Sequence, residues 1–262
     1  MRAFAFALAF SLALAAPAEA APRKVVSLNL CTDELLLMLA DPRQIVSVTH
    51  LAQKPEETPL WRQARLYPKN DGSLVSIAGF KPDLVLTMGG GARDRVRIGE
   101  RLGMRTLDLP FPQSLADIKA SIGKVAAALG RGSSGRQLIA RIDRLERTAP
   151  ERTVDTIWLG GGGRTVAAQG LAAGWMRLAG FRQRAMQGDR VSLEQLLVAP
   201  PRLLLRSDYR SGQYSSEQRW LSHPLARGMK LSRTLVTDGR PWTCMGPPMI
   251  GEVLRLRMGV GK

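Results

Sequence analysis

At 262 residues and 45% apolar side chains, the chain is long enough for one large domain or for two lobes of roughly 110 residues, each with its own core. A formal net charge of +16 raises nucleic acid as a partner, yet the Arg residues are scattered over helix faces rather than gathered with aromatics into one stripe, and no nucleic-acid partner is expected. With two His, no G-x-S-x-G elbow, no dinucleotide glycine fingerprint and no phosphate loop, the sequence offers no hydrolytic, zinc-catalytic or nucleotide constellation, and no enzyme, cofactor or metal site is expected. The charge fits solvated helix faces, with weak attraction to an anionic ligand or membrane surface as the functional alternative.

In chain order, Arg2 precedes an apolar run from Ala3 to Ala16, followed by Pro17 and the small residues Ala18-Glu19-Ala20. This is the layout of a secretory signal, so export to the periplasm with cleavage after Ala20 is expected, an uncleaved anchor being the alternative. The absence of Cys at the cleavage point argues against a lipoprotein. Removing the segment takes away one Arg and one Glu and leaves the charge at +16.

Lys24 to Leu28 reads as a strand, and Thr32 or Asp33 as the cap of a Leu-rich helix; Ile45 to Val48 is the next strand. From His50 to Gly72 the pattern dissolves into a long loop with Pro55, Pro59, Trp61 and Pro68, and loops of that length are often functional. Leu84 to Thr87 is a strand, followed by a Gly89-Gly90-Gly91 turn, a helix from Ala92 to Leu102 and a strand from Arg105 to Leu107. Ser114 to Leu129 and Ser133 to Thr148 are amphipathic helices separated by Gly130 and Gly132. In the second, Leu138, Ile142 and Leu145 share one face, Ser134 and Gln137 form a capping box, and Pro150 prevents continuation. Val154 to Leu159 is a strand ending in four glycines, Gly174 to Gly180 a short helix, and Arg206 to Ser216 an exposed loop leading to a helix around Trp220. Thr234 to Thr237 is the last strand, before a Trp242 to Pro247 loop and a final helix to about Arg257.

The stretch Ser73 to Leu86 aligns without gaps on Ser192 to Leu205: a serine-capped helix, a proline break, then a buried aliphatic strand. Two copies on either side of the Ser133 helix predict an α/β fold of two lobes of like build: residues 21–130, a connector helix over 131–150, and residues 151–262, after a signal peptide at 1–20.

Ligands of α/β sheets bind at the carboxyl ends of the strands. Those ends hold Asn29, Cys31, His50, Met88, Gly89, Gly90, Trp158, Gly161, Tyr209, Trp242 and Cys244, all expected to line one cleft, with Arg93 and Arg210 adding polar contact and Trp61 covering one side. Met88 reads equally as core, Trp242 as packing. Cys31 and Cys244 fall in different lobes, and three readings stand side by side: a disulfide between lobes, two thiol ligands for a metal-bearing solute, or two unrelated buried thiols.

Val26-Ser27-Leu28-Asn29, Lys81-Pro82-Asp83-Leu84-Val85-Leu86, Ser192-Leu193-Glu194-Gln195-Leu196-Leu197, His223-Pro224-Leu225, Trp242 and Gly246-Pro247 together resemble the periplasmic binding proteins for vitamin B12 and ferric siderophores. The resemblance implies two Rossmann-like lobes joined by a single long helix with the ligand cleft between them. It further implies a monomer that captures a metal chelate, a corrinoid or a ferric siderophore, for an ABC importer permease in the inner membrane. Members present one Glu per lobe to the permease; Glu194 matches the second, while Val75 stands at the first, leaving Glu56 or Glu57 as a substitute or docking less symmetric. The B12 binders carry an aromatic where this chain has Met88, and a small inert residue at Cys31. The alternatives are a metal-handling protein that binds an ion through Cys31 and Cys244, or a chelatase-like enzyme.

Overall fold

The structure is a computed structural model that describes residues 21–89, 93–210, 223–224 and 233–260. The expected signal peptide, Gly90 and the helix around Trp220 lie outside the described residues. Among those residues no helix is long and apolar enough to cross a membrane.

Two parallel sheets organise the chain. The first comprises β1 (Val25–Ser27), β2 (Ile45–Thr49), β3 (Lys69–Asn70), β4 (Leu84–Met88) and β5 (Arg105–Leu109), in the order β3-β2-β1-β4-β5. The second comprises β6 (Val154–Leu159), β7 (Phe181–Gln183), β8 (Leu203–Ser207) and β9 (Arg233–Thr237), in the order β7-β6-β8-β9. Each order reverses direction once, between β1 and β4 and between β6 and β8. At such a point the loops after neighbouring strands leave to opposite faces and open a crevice.

Between β1 and β2 runs α1 (Leu30–Leu39), apolar on nearly every side, with Leu30, Leu35, Leu36, Leu37 and Leu39 buried. Its cap is Asn29, whose side chain accepts from the Cys31 amide, and neither Thr32 nor Asp33. Those two face inward instead: Thr32 Oγ1 lies 2.8 Å from Ser27 Oγ, and Asp33 accepts the hydroxyl and the amide of Thr49. The expected loop from His50 to Gly72 contains α2 (Trp61–Ala64) and the edge strand β3. Gln53 holds it together by donating to the carbonyls of Ala64 and Tyr67, and Gln63 ties it to Leu37. β7 had no counterpart in the sequence pattern, being only three residues long.

The repeat holds as local structure. Ser73 caps α3 (Leu74–Ile77) and Ser192 caps α8 (Leu193–Val198), the latter with a full capping box through Gln195, and each helix is followed by a parallel strand. After β4 comes α4 (Arg93–Arg101). Helices α5 (Leu115–Ala128) and α6 (Gly132–Arg147) form an antiparallel pair. Gly130, at φ 69°, ends α5 in a left-handed turn in which the Arg131 amide reaches back to Ala126 O at 2.7 Å. That turn starts α6 earlier than expected, with Arg131 at the cap, so the Ser134–Gln137 capping box does not form. Gly135 permits the close crossing, since a Cβ there would lie 2.5 Å from Ala126 Cβ.

After β6 come α7 (Leu171–Leu178), α8, α9 (Pro241–Cys244) and α10 (Met249–Val260). The stretch expected as a loop from Trp242 is thus partly helical, because Pro241 at the first turn starts a helix readily. A single apolar cluster joins both sheets. It contains Leu84 and Leu86 of the first, Leu203 and Leu205 of the second, and Leu138, Ile142 and Leu145 of α6 between them in sequence. Burial of each such side chain is worth about 1.5–3 kcal/mol.

Candidate functional site

Cys31, just after β1 of the first sheet, and Cys244, in the helix after β9 of the second, are brought together. The sulfurs form a disulfide with a Cα–Cα separation of 5.2 Å, linking the first turn of α1 to the last residue of α9. This overturns the readings in which the cysteines are separate thiols or ligate a metal, because a disulfide sulfur is neither nucleophile nor thiolate ligand. Among the described residues no group of three or more His, Cys, Asp or Glu is placed to hold a metal ion.

On one side of the disulfide the lobes are clasped. Glu57, only 4% exposed, accepts from Tyr209 Oη at 2.8 Å and pairs with the Arg210 guanidinium, while Arg240 donates to the Pro55 carbonyl at 3.1 Å. Burial, followed by the neighbouring Glu57, pushes the Tyr209 phenol up, and the same carboxylate raises Arg210. Gly239 allows the turn after β9 to pass under Tyr209, since a Cβ would lie 2.6 Å from the Tyr209 amide nitrogen. A cavity of about 460 Å³ beside the clasp is lined by Glu56, Asp208, Asp238, Arg240 and Arg255. Glu57 is therefore engaged between the lobes and unable to replace the missing docking acid at Val75, which is 87% exposed at the start of α3.

On the other side lies an open cavity of about 420 Å³. Met88, Phe111, Pro112 and Gln113 wall it from the first lobe, Val166 to Ala172 and Thr243 to Met245 from the second, and the disulfide forms part of its wall. Phe111 is 57% exposed, and its ring edge comes within 3.4 Å of the Cβ position of Gly89, whose φ of 134° suits glycine.

Beneath the disulfide, α1 carries two buried acids. Loss of solvation by burial pushes Asp33 up to about 7, against its bonds from Thr49, and Glu34 up to about 8, against its bond from Thr58 and helped by the charge of Asp33. Thr58 donates to Glu34 Oε1 at 2.7 Å. Glu34 Oε2 has no partner and faces the Gly246 backbone of the second lobe, 3.4 Å from where a Cβ would stand. At neutral pH Glu34 is mostly protonated and Asp33 about half so, which lowers the cost of burying charge.

The strand-end residues divide accordingly. Cys31, Met88 and Cys244 line the open cavity, and Tyr209 and Arg210 form the clasp and line its neighbour. Asn29 is used as a helix cap. His50 is exposed at the sheet edge, with Nδ1 3.3 Å from Asn70 O. Trp61 lies under the guanidinium groups of Arg62 and Arg65, at 4.4 and 4.6 Å, and lines neither cavity. Trp242 is 5% exposed, with its indole N–H given to Thr237 Oγ1 and its ring 5.8 Å from that of Trp158, so it packs rather than presents a face for stacking. Gly161 begins a 3-10 turn after β6. Arg93 opens α4, but its side chain lies outside the described residues. Glu194 is exposed in the first turn of α8, where its own amide and Ser192 hold the carboxyl below its ordinary value. Sequence reasoning missed Phe111 to Gln113, although they follow β5 and the rule that marked the other strand ends reaches them once β5 is extended to Leu109.

A family model described as periplasmic binding protein matches residues 25–231. Among solved structures, the periplasmic heme-binding protein RhuT from Roseiflexus sp. RS-1, in apo form, is 19% identical, with 90% of this chain and 97% of that chain covered and a TM-score of 0.68. The siderophore-binding protein BauB, bound to two acinetobactin molecules and ferric iron, is 14% identical over 91% and 94% of the two chains, with a TM-score of 0.68. The periplasmic vitamin B12 binding protein BtuF of Vibrio cholerae is 16% identical over 90% and 96%, with a TM-score of 0.62. At these identities the likeness is one of fold. No curated protein matches the chain. With two parallel sheets, a cavity walled by the loops beyond their strands and a family match over residues 25–231, the chain belongs to the periplasmic binding protein family.

Proposed function

We propose that this protein is the solute-binding component of an ABC importer, capturing a metal chelate and handing it to the permease. The observation that carries the reading is the cavity walled by both lobes at the carboxyl ends of their strands, in a chain of this family. The chelate is a corrinoid or a ferric siderophore, a range supported by folds of the same build that bind vitamin B12, ferric acinetobactin or heme. The protein acts by binding alone, as a monomer, after export and cleavage behind Ala20. Residues 21–130 and 151–262 are the two lobes, and the helix within 131–150 holds them at a nearly fixed separation. Permease docking uses Glu194 on the second lobe; on the first, the equivalent position of the repeat is the exposed Val75, which leaves Glu56 as the substitute acid or a less symmetric contact.

Tryptophan quenching of the mature protein, titrated with cyanocobalamin, hemin, a ferric hydroxamate and a ferric catecholate, tests the reading. Saturable binding of at least one intact chelate is expected, and failure of all four to bind would overturn it. Glu194→Arg is expected to leave chelate affinity unchanged while abolishing ligand-stimulated ATP hydrolysis by the reconstituted importer.

A further inference from the structure

Among the described residues lining the open cavity there is no Asp, Glu, Lys, Arg, His or Tyr; the polar side chains are Gln113, Gln169 and Thr243. From those residues an anionic ligand gains no ion pair, and a metal centre with an open coordination position finds no imidazole, phenolate, carboxylate or thiolate; the thioethers of Met88 and Met245 are soft, neutral donors and poor ligands for a hard ferric ion, and the sulfurs of Cys31 and Cys244 are bonded to each other. Around the Glu57 clasp, described charged groups are spent on one another in the Glu57–Arg210, Asp238–Arg240 and Glu252–Arg255 pairs.

Phe111 is the second observation. A phenylalanine left 57% exposed at the mouth of an apolar cavity, seated over a glycine, is a stacking surface with no aromatic partner among the described residues. It lies two residues beyond Leu109, the β5 partner of Met88, the position where an aromatic was missing by sequence, so an aromatic platform reaches the cavity from the segment after β5 instead of from the end of β4. Exposed amides flank it, Gln113 from the first lobe and Gln169 from the second.

We infer that this cavity recognises the uncharged periphery of a coordinatively saturated metal chelate, stacked on Phe111 and hydrogen-bonded through Gln113 and Gln169, with no bond from the protein to the metal. The inference rests on the proposed function and selects within it: neutral, amide-bearing chelates over anionic ones, and over heme that needs an axial ligand. A cavity of about 420 Å³ takes one edge of such a molecule.

The test compares cyanocobalamin and a neutral ferric hydroxamate with a trianionic ferric catecholate and with hemin, by calorimetry on the mature protein and its Phe111→Ala and Gln113→Glu variants. A neutral chelate is expected to bind at least tenfold more tightly than the catecholate. Phe111→Ala is expected to weaken it at least tenfold with thermal stability unchanged, since the side chain is exposed. Phe111→Leu, which keeps apolar bulk but not the ring, is expected to restore only part of the loss. Tighter binding of the catecholate, a hemin spectrum showing a protein-supplied axial ligand, or neutral-chelate affinity insensitive to Phe111→Ala would each overturn this inference while leaving the carrier reading standing. Failure of every chelate to bind would overturn both.

Discussion

Replacing Cys31 and Cys244 together by serine removes a cross-link whose ends are 213 residues apart. In the chain-entropy treatment a loop of that length restricts the unfolded ensemble by about 5 kcal/mol at 25 °C. For a chain of this size each kcal/mol corresponds to roughly 2–4 °C, so the variant is expected to melt at least about 10 °C below the oxidised protein. Urea unfolding followed by tryptophan fluorescence and by far-ultraviolet circular dichroism reads the same quantity at equilibrium. Reduction of the unmodified protein with dithiothreitol provides the matching control. Because one apolar cluster reaches both sheets, the transition is expected to stay single after the cross-link is lost, with the two probes coincident. A loss below about 1 kcal/mol would refute the entropic argument. Two resolved transitions would refute the claim that the lobes share a core.

Stability is expected to fall as pH rises from about 4 to about 8. Asp33 and Glu34 keep their protons in the folded state up to about 7 and about 8, whereas unfolded they release them near 3.8 and 4.5, so higher pH favours the unfolded chain. Glu34→Gln should flatten much of that slope and be more stable than the parent at pH 8 but not at pH 4; urea midpoints rising between pH 5 and 8 in the parent would contradict this. Gly135→Ala should destabilise by about 1–2 kcal/mol, because overpacking against Ala126 outweighs the better helix propensity of Ala; a higher melting temperature would show that the α5–α6 crossing can relax. Glu57→Ala should cost about 1–2 kcal/mol, the pair with the partly exposed Arg210 being discounted for solvent. It should also lower the Tyr209 phenol, and an ultraviolet titration unchanged by the substitution would remove the clasp from the account.

Much of the architecture was legible in the order of elements. The aliphatic strands after Pro82 and Pro201 and the serine caps at Ser73 and Ser192 are local features, and local features are written in adjacent residues. Boundaries were less so where two signals competed. Thr32 and Asp33 are good capping residues by type, but the chain turns at Asn29, and packing against β2 takes both inward. Ser134 lost its capping role because Gly130 closes α5 early enough for the next helix to begin at Gly132. The site was legible only as a set of strand ends. Which ends meet depends on how the lobes face each other, and that arrangement joins Cys31 to Cys244 and Glu57 to Tyr209 across more than 150 residues. It also turns Trp242 inward, where its place after the last strand had made it a candidate to line the cleft.

The position of the disulfide has a consequence for how the molecule is made. The chain has two cysteines, so within one molecule there is one possible pairing and no scrambled isomer to correct. The first leaves the ribosome 213 residues ahead of the second, and the bond needs α1 and α9 already side by side. Oxidation therefore comes at the end of assembly and asks for an oxidant but not for an isomerase.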